Sequence, residues 1–299
     1  MSGYSLGIDI GGTVVKAVCV TPDGRELSRH SFPTQDEASD AWVARIRSSI
    51  ESVEREHGRP AQWLGLSAPG IAAPDGKTIW WMMGRMEAVM GLNWTEKLGR
   101  QAPVPVLNDA QAALLGEIWK GSAAGAKNAV LLTLGTGIGG AIVCDGRLLR
   151  GAIGRAGHLG HLSLDPDGEI DIVNTPGSVE YFFGNYRISE RTGGQFTSTH
   201  DLVKAYEAGD AEARRLWLQS VKSLAAAIVS IINAVDPEVV ILGGGIARAG
   251  ESLMRPLREY LDKFEWRPHG HRVRFVQATL GEFAGAYGCA YNAMQEGGR

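Results

Sequence analysis

The 299-residue chain predicts an α/β fold in two lobes, each a mixed β-sheet flanked by helices. Apolar runs with the alternation of strands are interleaved along the sequence with runs at helical spacing, the pattern of sheets covered by helices. Two strand–glycine–strand elements, at residues 6–20 and 127–144, echo one another as the halves of a duplicated architecture would. Glycine, at 40 residues, stands well above its usual share, which calls for many tight turns or close backbone approaches to a ligand.

The first of these elements reads Leu-Gly-Ile-Asp-Ile-Gly-Gly-Thr-Val-Val-Lys-Ala-Val-Cys-Val. Its alternation has period two, so it is a hairpin turning at Gly11 and Gly12, with Thr13 and Lys16 just beyond. A turn without Cβ atoms lets a phosphate reach backbone N–H groups. Asp9, at the end of the first strand, can face such a phosphate only across a cation, for which hydrated Mg²⁺ is the natural choice. An ordinary hairpin can carry the same residues; the glycine loops downstream favour the phosphate reading.

A turn at residues 22–24 leads to a strand at 26–32, closed by Pro33, and the spacing of Ala41, Val43, Ile46, Ile50 and Val53 predicts a helix over 40–57. Residues 63–68 form a short buried strand. From 71 to 99 the pattern is irregular, and Trp80, Trp81, Met82 and Met83 are assigned to the core in preference to a ligand-side wall. A buried strand at 103–107 runs into Asn108-Asp109 and a helix over 110–120. This strand-to-helix junction is where α/β proteins build sites, although Asp109 would serve equally as a helix cap.

The second hairpin pairs 127–134 with 138–144 around Gly135-Thr136-Gly137, and residues 147–149 add a strand. A glycine-broken segment carries His158 and His161, a polar loop spans 165–177, and Ser178 caps a short helix containing Glu180. Helices follow at 201–209 and 210–235. A strand at 237–242 opens onto Gly243-Gly244-Gly245, followed by a helix from about 248 to 264. The chain closes with a strand near 272–276 and an alanine-rich helix from about 282 to 295.

A net charge of −3 and the absence of any Lys/Arg cluster longer than a pair give no drive toward nucleic acid or anionic membrane, so neither partner is expected. The three cysteines, Cys19, Cys144 and Cys289, lie far apart in apolar runs, which suits buried thiols in a reducing compartment and hence the cytoplasm. The first apolar run is broken by Asp9, unlike the core of a signal peptide, and no stretch is expected to approach the length of a membrane span.

Three glycine turns at strand ends, with Asp9 in the first and Asp109 at a helix start between them, resemble the sugar kinase, Hsp70 and actin ATPase superfamily, and within it the ROK family. Residues 7–13 with Lys16 resemble the first phosphate loop, Asn108-Asp109 with Glu117 the catalytic segment, and residues 135–140 the second phosphate loop. Residues 242–245 resemble the adenosine segment, and Leu280-Gly281 with Ala284-Gly285-Ala286 and Gly288 the closing helix. The resemblance implies an actin-like (ribonuclease H-like) ATPase fold: a smaller lobe of residues 1–106 plus about 283–299, a larger lobe of 107–282, and a cleft between them. It implies an ATP- and Mg²⁺-dependent kinase acting on a hexose or related sugar, with a homodimer as partner state. Asp109 would be the general base, and Asn108, His158, His161 and Glu180 would touch the sugar. Asp9 would hold Mg²⁺ through water, and Gly11, Gly12, Thr13, Lys16, Gly135, Thr136, Gly137, Gly243 and Gly244 would bind ATP and its phosphates. The family's repressors carry a DNA-binding segment ahead of the first loop, and with five residues before Leu6 a member of that branch is not expected. A non-catalytic, sugar-binding regulator is the alternative.

One segment departs from the family pattern. Members carry Gly-Glu-x-Gly-His and, downstream, three cysteines that bind structural zinc with that histidine. Here the segment is Gly157-His158-Leu159-Gly160-His161, and the cysteine positions hold Asp171, Val173 and Ser178. A closed zinc site usually takes four ligands, so no zinc site is expected. A neutral imidazole at His158 offers one donor and one acceptor where a carboxylate offers only acceptors, which changes the set of hydroxyls it can satisfy.

Overall fold

A computed structural model describes residues 3–34, 39–84 and 86–298, without the side chain of Ser39. In chain order the elements are β1 (Ser5–Ile10), β2 (Val14–Val20), β3 (Glu26–Pro33), α1 (Ser39–Glu56), β4 (Trp63–Ala68), β5 (Ile71–Ala72), β6 (Ile79–Trp81), α2 (Trp94–Lys97), β7 (Val106–Asn108) and α3 (Asp109–Lys120). They continue with β8 (Ala129–Leu134), β9 (Ile138–Cys144), β10 (Arg147–Leu148), α4 (Val179–Phe183), α5 (Ile188–Arg191), α6 (Thr199–Glu207), α7 (Ala211–Val235), β11 (Val239–Gly243), α8 (Glu251–Phe264), β12 (Arg274–Gln277) and α9 (Ala284–Gly297).

The chain forms two compact units, Met1–Gly125 with Leu148–Ala156 and Ala278–Arg299, and Ala126–Arg147 with Gly157–Gln277. The division expected at residue 106 falls inside the first unit, because β7 pairs with β4 and α3 packs on α9, which itself lies on β1. Each unit is built on a five-stranded sheet, ordered β3-β2-β1-β4-β7 in the first and β10-β9-β8-β11-β12 in the second. In both, the opening hairpin is antiparallel and the two later strands join in parallel. The likeness of the two glycine hairpins therefore extends to the whole sheet.

In the first unit one core holds Tyr4, Ile8, Trp42, Ile46 and Trp94, all buried. A smaller cluster of Val18, Val20, Ala286, Tyr287 and Ala290 joins the sheet to α9. The contact between α9 and α3 depends on small residues: a Cβ at Gly288 would lie 1.7 Å from the Ala112 carbonyl oxygen. Alanine in place of a helical glycine normally gains about 1 kcal/mol of helix propensity. At Gly288 the backbone collision dominates, and Gly288→Ala is expected to lower stability by about 1–3 kcal/mol, measured as a lower urea midpoint.

Glu117 is fully buried and ties the end of α3 to the chain entering α9. Its carboxylate accepts from the Ser122 N–H and hydroxyl at 2.7 and 3.0 Å, from the Thr279 and Leu280 N–H groups at 2.9 and 2.8 Å, and from the Thr279 hydroxyl at 3.3 Å. Within the motif that resembles the catalytic segment, Glu117 thus serves as a hydrogen-bonded brace between α3 and the chain entering α9.

The aromatic and methionine cluster assigned to the core divides. Met82 is buried, whereas Trp80, Trp81 and Met83 are 42%, 37% and 53% exposed. Strand β6 belongs to a separate two-stranded hairpin with β5, outside the main sheet. The Trp80 indole N–H donates to the Ile153 carbonyl at 2.9 Å.

In the second unit α7 is the central helix, packed on α4, α6 and α8. At 25 residues it is long and apolar enough to cross a membrane by length and composition, which corrects the expectation that no stretch is. Its Trp217, Leu224 and Ile228 lie fully buried in the unit's core, and the Trp217 indole donates to the Ser252 carbonyl at 2.8 Å.

Candidate active site

In the first unit the parallel strands β1, β4 and β7 end side by side, with Asp9 in register with Ser67 and Ala68 in register with Asn108. This brings Asp9 and the Asn108-Asp109 pair to the carboxyl edge of one sheet, where α/β proteins bind ligands. The Ser67 hydroxyl, itself buried, donates to Asp9 Oδ1 at 2.7 Å. On the other side the first turn of α9 is pressed against the carboxylate, since a Cβ at Gly285 would fall 2.6 Å from its carbon. Only glycine fits there.

Burial pushes the Asp9 carboxyl up to about 6; the Ser67 hydrogen bond opposes this, the negative charge of Asp109 adds to it, and Lys16 opposes it. The Asp109 side chain is reached by solvent, yet desolvation raises its carboxyl above the ordinary range against the pull of the Ala110 N–H. Two carboxylates, one raised by the charge of the other, form a site whose charge a divalent cation would relieve, so the donor set fits Mg²⁺.

The helix cap at this junction is Asn108, not Asp109. Asn108 Oδ1 accepts from the Ala110 and Gln111 N–H groups at 2.9 and 3.3 Å, and Gln111 Oε1 accepts the Asn108 N–H at 3.2 Å, completing a capping box. The Asn108 amide also donates to the Gly70 carbonyl at 2.8 Å. The Asn108 side chain is also hydrogen-bonded to the Asp109 carboxylate. Asp109 Oδ1 accepts from the Ala110 N–H at 2.8 Å, which helps fix the carboxylate.

The first glycine turn is closed by the Gly11 N–H on the Val14 carbonyl at 3.2 Å and anchored by Thr34, whose hydroxyl donates to the Gly11 carbonyl at 2.6 Å. Gly12 and Thr13 form its tip, with Thr13 exposed. Lys16 lies opposite Asp9 in the hairpin register, and its Nζ pairs with Glu282 at 3.3 Å.

In the second unit the turn between β8 and β9 is closed by the Gly135 N–H on the Gly137 carbonyl at 3.0 Å. Two further bonds hold it from outside: the Asn185 N–H donates to the Gly135 carbonyl at 3.0 Å and the Tyr186 N–H to the Thr136 carbonyl at 2.9 Å. Glu180, buried on α4, accepts the Ile138 N–H at 2.9 Å through Oε2, so the residue expected at the sugar also braces this loop. Strand β11 ends at Gly243, and Gly244 adopts a left-handed φ of 88° with no room for a Cβ, which would lie 2.4 Å from the Leu134 carbonyl oxygen.

His158 is half-buried at the head of the short 3-10 turn Leu159–His161, which packs on β9. His161 has a different partner: its Nδ1 lies 2.8 Å from Asp171 Oδ2. Asp171 Oδ1 accepts the Val173 and Thr175 N–H groups, both at 2.9 Å. Burial alone would raise the Asp171 carboxyl, but the bonds from Thr175, His161, Val173 and Ser178 together hold it below the ordinary range. His161 and Asp171, two of the positions compared above with the zinc-ligand pattern, are thus hydrogen-bonded directly to one another.

Ser67 and Gly285 are the site residues that sequence reasoning missed. Ser67 is one polar residue at the end of an apolar strand, and Gly285 sits in a motif assigned only to a closing helix. Strand register and helix docking bring both to Asp9.

A model of the ROK family matches residues 5–296. The chain is 30% identical over 323 residues to a glucokinase of Halalkalibacterium halodurans, covering 98% of this chain and 96% of that one. Among solved structures, a ROK hexokinase from Thermus thermophilus superposes with a TM-score of 0.87 at 32% identity, covering 98% of each chain. A ROK family glucokinase from Streptomyces griseus, in complex with glucose and AMPPNP, gives a TM-score of 0.77 at 25% identity over 98% of this chain and 100% of that one. The paired five-stranded sheets are thus the actin-like ATPase fold, and the chain belongs to the ROK family.

Proposed function

We propose that this chain is an ATP-dependent kinase that transfers the γ-phosphate to a hydroxyl of a hexose or a related sugar. The observation that carries the reading is the placement of Asp9 at the end of β1 and of Asp109 just past the end of β7, on either side of β4 at one edge of the sheet, close enough for the charge of Asp109 to raise the pKa of Asp9. Phosphoryl transfer needs an acceptor oxygen held in line and its proton removed, together with neutralisation of phosphate charge. Asp109 takes the acceptor proton, and Asn108 at the same junction holds a neighbouring hydroxyl. The glycine turns at Gly11-Gly12-Thr13 and Gly135-Thr136-Gly137 offer backbone N–H groups to phosphate oxygens. Gly243 and Gly244 leave a flat backbone surface for the adenosine. Mg²⁺, held by Asp9 through water, would neutralise charge on the phosphates. The glucokinase and hexokinase names of the relatives support the sugar class.

Incubating the protein with ATP, Mg²⁺ and a panel of hexoses, amino sugars and cyclitols tests this. Sugar-dependent release of ADP is expected for at least one of them. ADP formation no greater than with ATP alone across the panel would leave a binding or regulatory protein as the better reading.

His158 sets which sugar. Replacing His158 with glutamate restores the acceptor-only group of the family pattern, and one or two hydrogen bonds are worth about 1–3 kcal/mol of discrimination. His158→Glu is therefore expected to shift relative kcat/KM toward glucose-like hexoses by roughly 5- to 150-fold, with the KM for ATP unchanged. An unaltered sugar profile would place His158 outside the acceptor site. Cytoplasmic residence is proposed on the three free thiols, and a homodimer on the family resemblance; sedimentation at a single monomer mass would exclude the dimer.

A further inference from the structure

His30 on the edge strand β3, and Glu56 and His57 at the end of α1, bring three metal-ligating atoms within 4.8 Å of one another, the one such group of three among the described residues. The two imidazoles converge on a single hydroxyl: Ser28 Oγ lies 2.8 Å from His57 Nε2 and 2.9 Å from His30 Nε2. Glu56 Oε2 is 3.8 Å from His30 Nε2 on an exposed, adjustable side chain. The imidazoles are held by aromatic neighbours, His57 against Tyr4 with centroids 5.0 Å apart and His30 stacked on Phe32 at 6.2 Å.

From this geometry we propose a second metal site, remote in sequence from every residue assigned to catalysis, that takes Zn²⁺ or a similar divalent transition ion. Ligand atoms around a tetrahedral zinc lie about 3.4 Å apart for bonds near 2.1 Å, so closing the present cluster asks for a movement of about 1 Å by two side chains. Two imidazoles and one carboxylate make three protein ligands, and the Ser28 hydroxyl or a water supplies the fourth. Imidazole nitrogen selects zinc, nickel or copper over Mg²⁺, which prefers oxygen ligands, so the site is chemically distinct from the one at Asp9. The end of an 18-residue helix adds the negative pole of its dipole. The bound ion ties the free edge of the sheet, β3, to α1. Sequence spacing does not reveal the cluster, because 25 residues lie between His30 and Glu56.

The test is calorimetric titration of the chelator-treated full chain with Zn²⁺, with Mg²⁺ in excess. One zinc per chain is expected, accompanied by a rise in Tm, and Co²⁺ should give visible absorption of a low-coordinate site. His30→Gln and His57→Gln should each weaken zinc binding at least tenfold and remove the rise in Tm, whereas His161→Gln should leave both unchanged. Circular dichroism checks folding; should His57→Gln unfold, His30→Gln on the edge strand decides. No zinc uptake by the wild-type chain, wild-type affinity in His30→Gln, or loss of binding in His161→Gln would each overturn the proposal.

Discussion

Asp109→Asn is expected to lower turnover by two or more orders of magnitude at saturating sugar and ATP, while nucleotide affinity stays within a factor of about two. The substitution keeps the shape of the side chain and the bond to the Ala110 N–H, so the helix start should survive it. What it removes is the basic oxygen, and a positioned general base contributes about 10²- to 10⁴-fold. The raised pKa of Asp109 adds a second readout. A base must be deprotonated to act, so the acidic limb of the wild-type rate profile should lie above the ordinary carboxylate range. It should be absent from the residual activity of the variant. A loss of less than tenfold would assign the proton transfer to another group.

Asp9→Asn is expected to abolish most of the activity and the normal Mg²⁺ dependence, and at the same time to make the ligand-free protein more stable above pH 6. The native carboxyl sits at about 6 against 3.8 for an ordinary aspartate, so between those values the folded state holds a proton that the unfolded state has released. The stability attached to that proton is complete below about pH 4 and is lost as pH rises through 6. About two pKa units correspond to roughly 3 kcal/mol at most, and asparagine, which cannot ionise, escapes the loss. Urea midpoints of variant and wild type should coincide near pH 4 and separate at pH 7 and above. Added Mg²⁺ with ATP should stabilise the wild type more than the variant, by mass action on a site only one of them retains. Equal midpoints at pH 7.5, or an unchanged Mg²⁺ titration, would refute this account of Asp9.

The parts of this protein legible in its sequence are those set by local chemistry. Strand alternation around Asp9, the glycine turns at 11–12 and 135–137, the Ser178 cap and the long apolar spacing of α7 are properties of neighbouring residues, and the structure places elements where these patterns put them. The duplicated sheet followed from two hairpins of like pattern. Asp109 could be read as either cap or base, and the structure gave the cap to its neighbour Asn108. The exposure of Trp80 and Trp81 was not legible, because an apolar run does not say whether a short hairpin will be covered on both faces.

Only the tertiary structure decided what surrounds Asp9. The sequence placed that carboxylate at a strand end beside a glycine turn. Strand register then set Ser67 against it, across 58 positions of chain, and the docking of α9 brought Gly285 from the far end of the sequence. The elevated pKa arises from this enclosure, just as Glu117 acquires its partners at Thr279 and Leu280, and His30 meets Glu56 and His57, through packing. Desolvation and charge act through distance in space, and a one-dimensional pattern carries that distance only for residues within a few positions of one another.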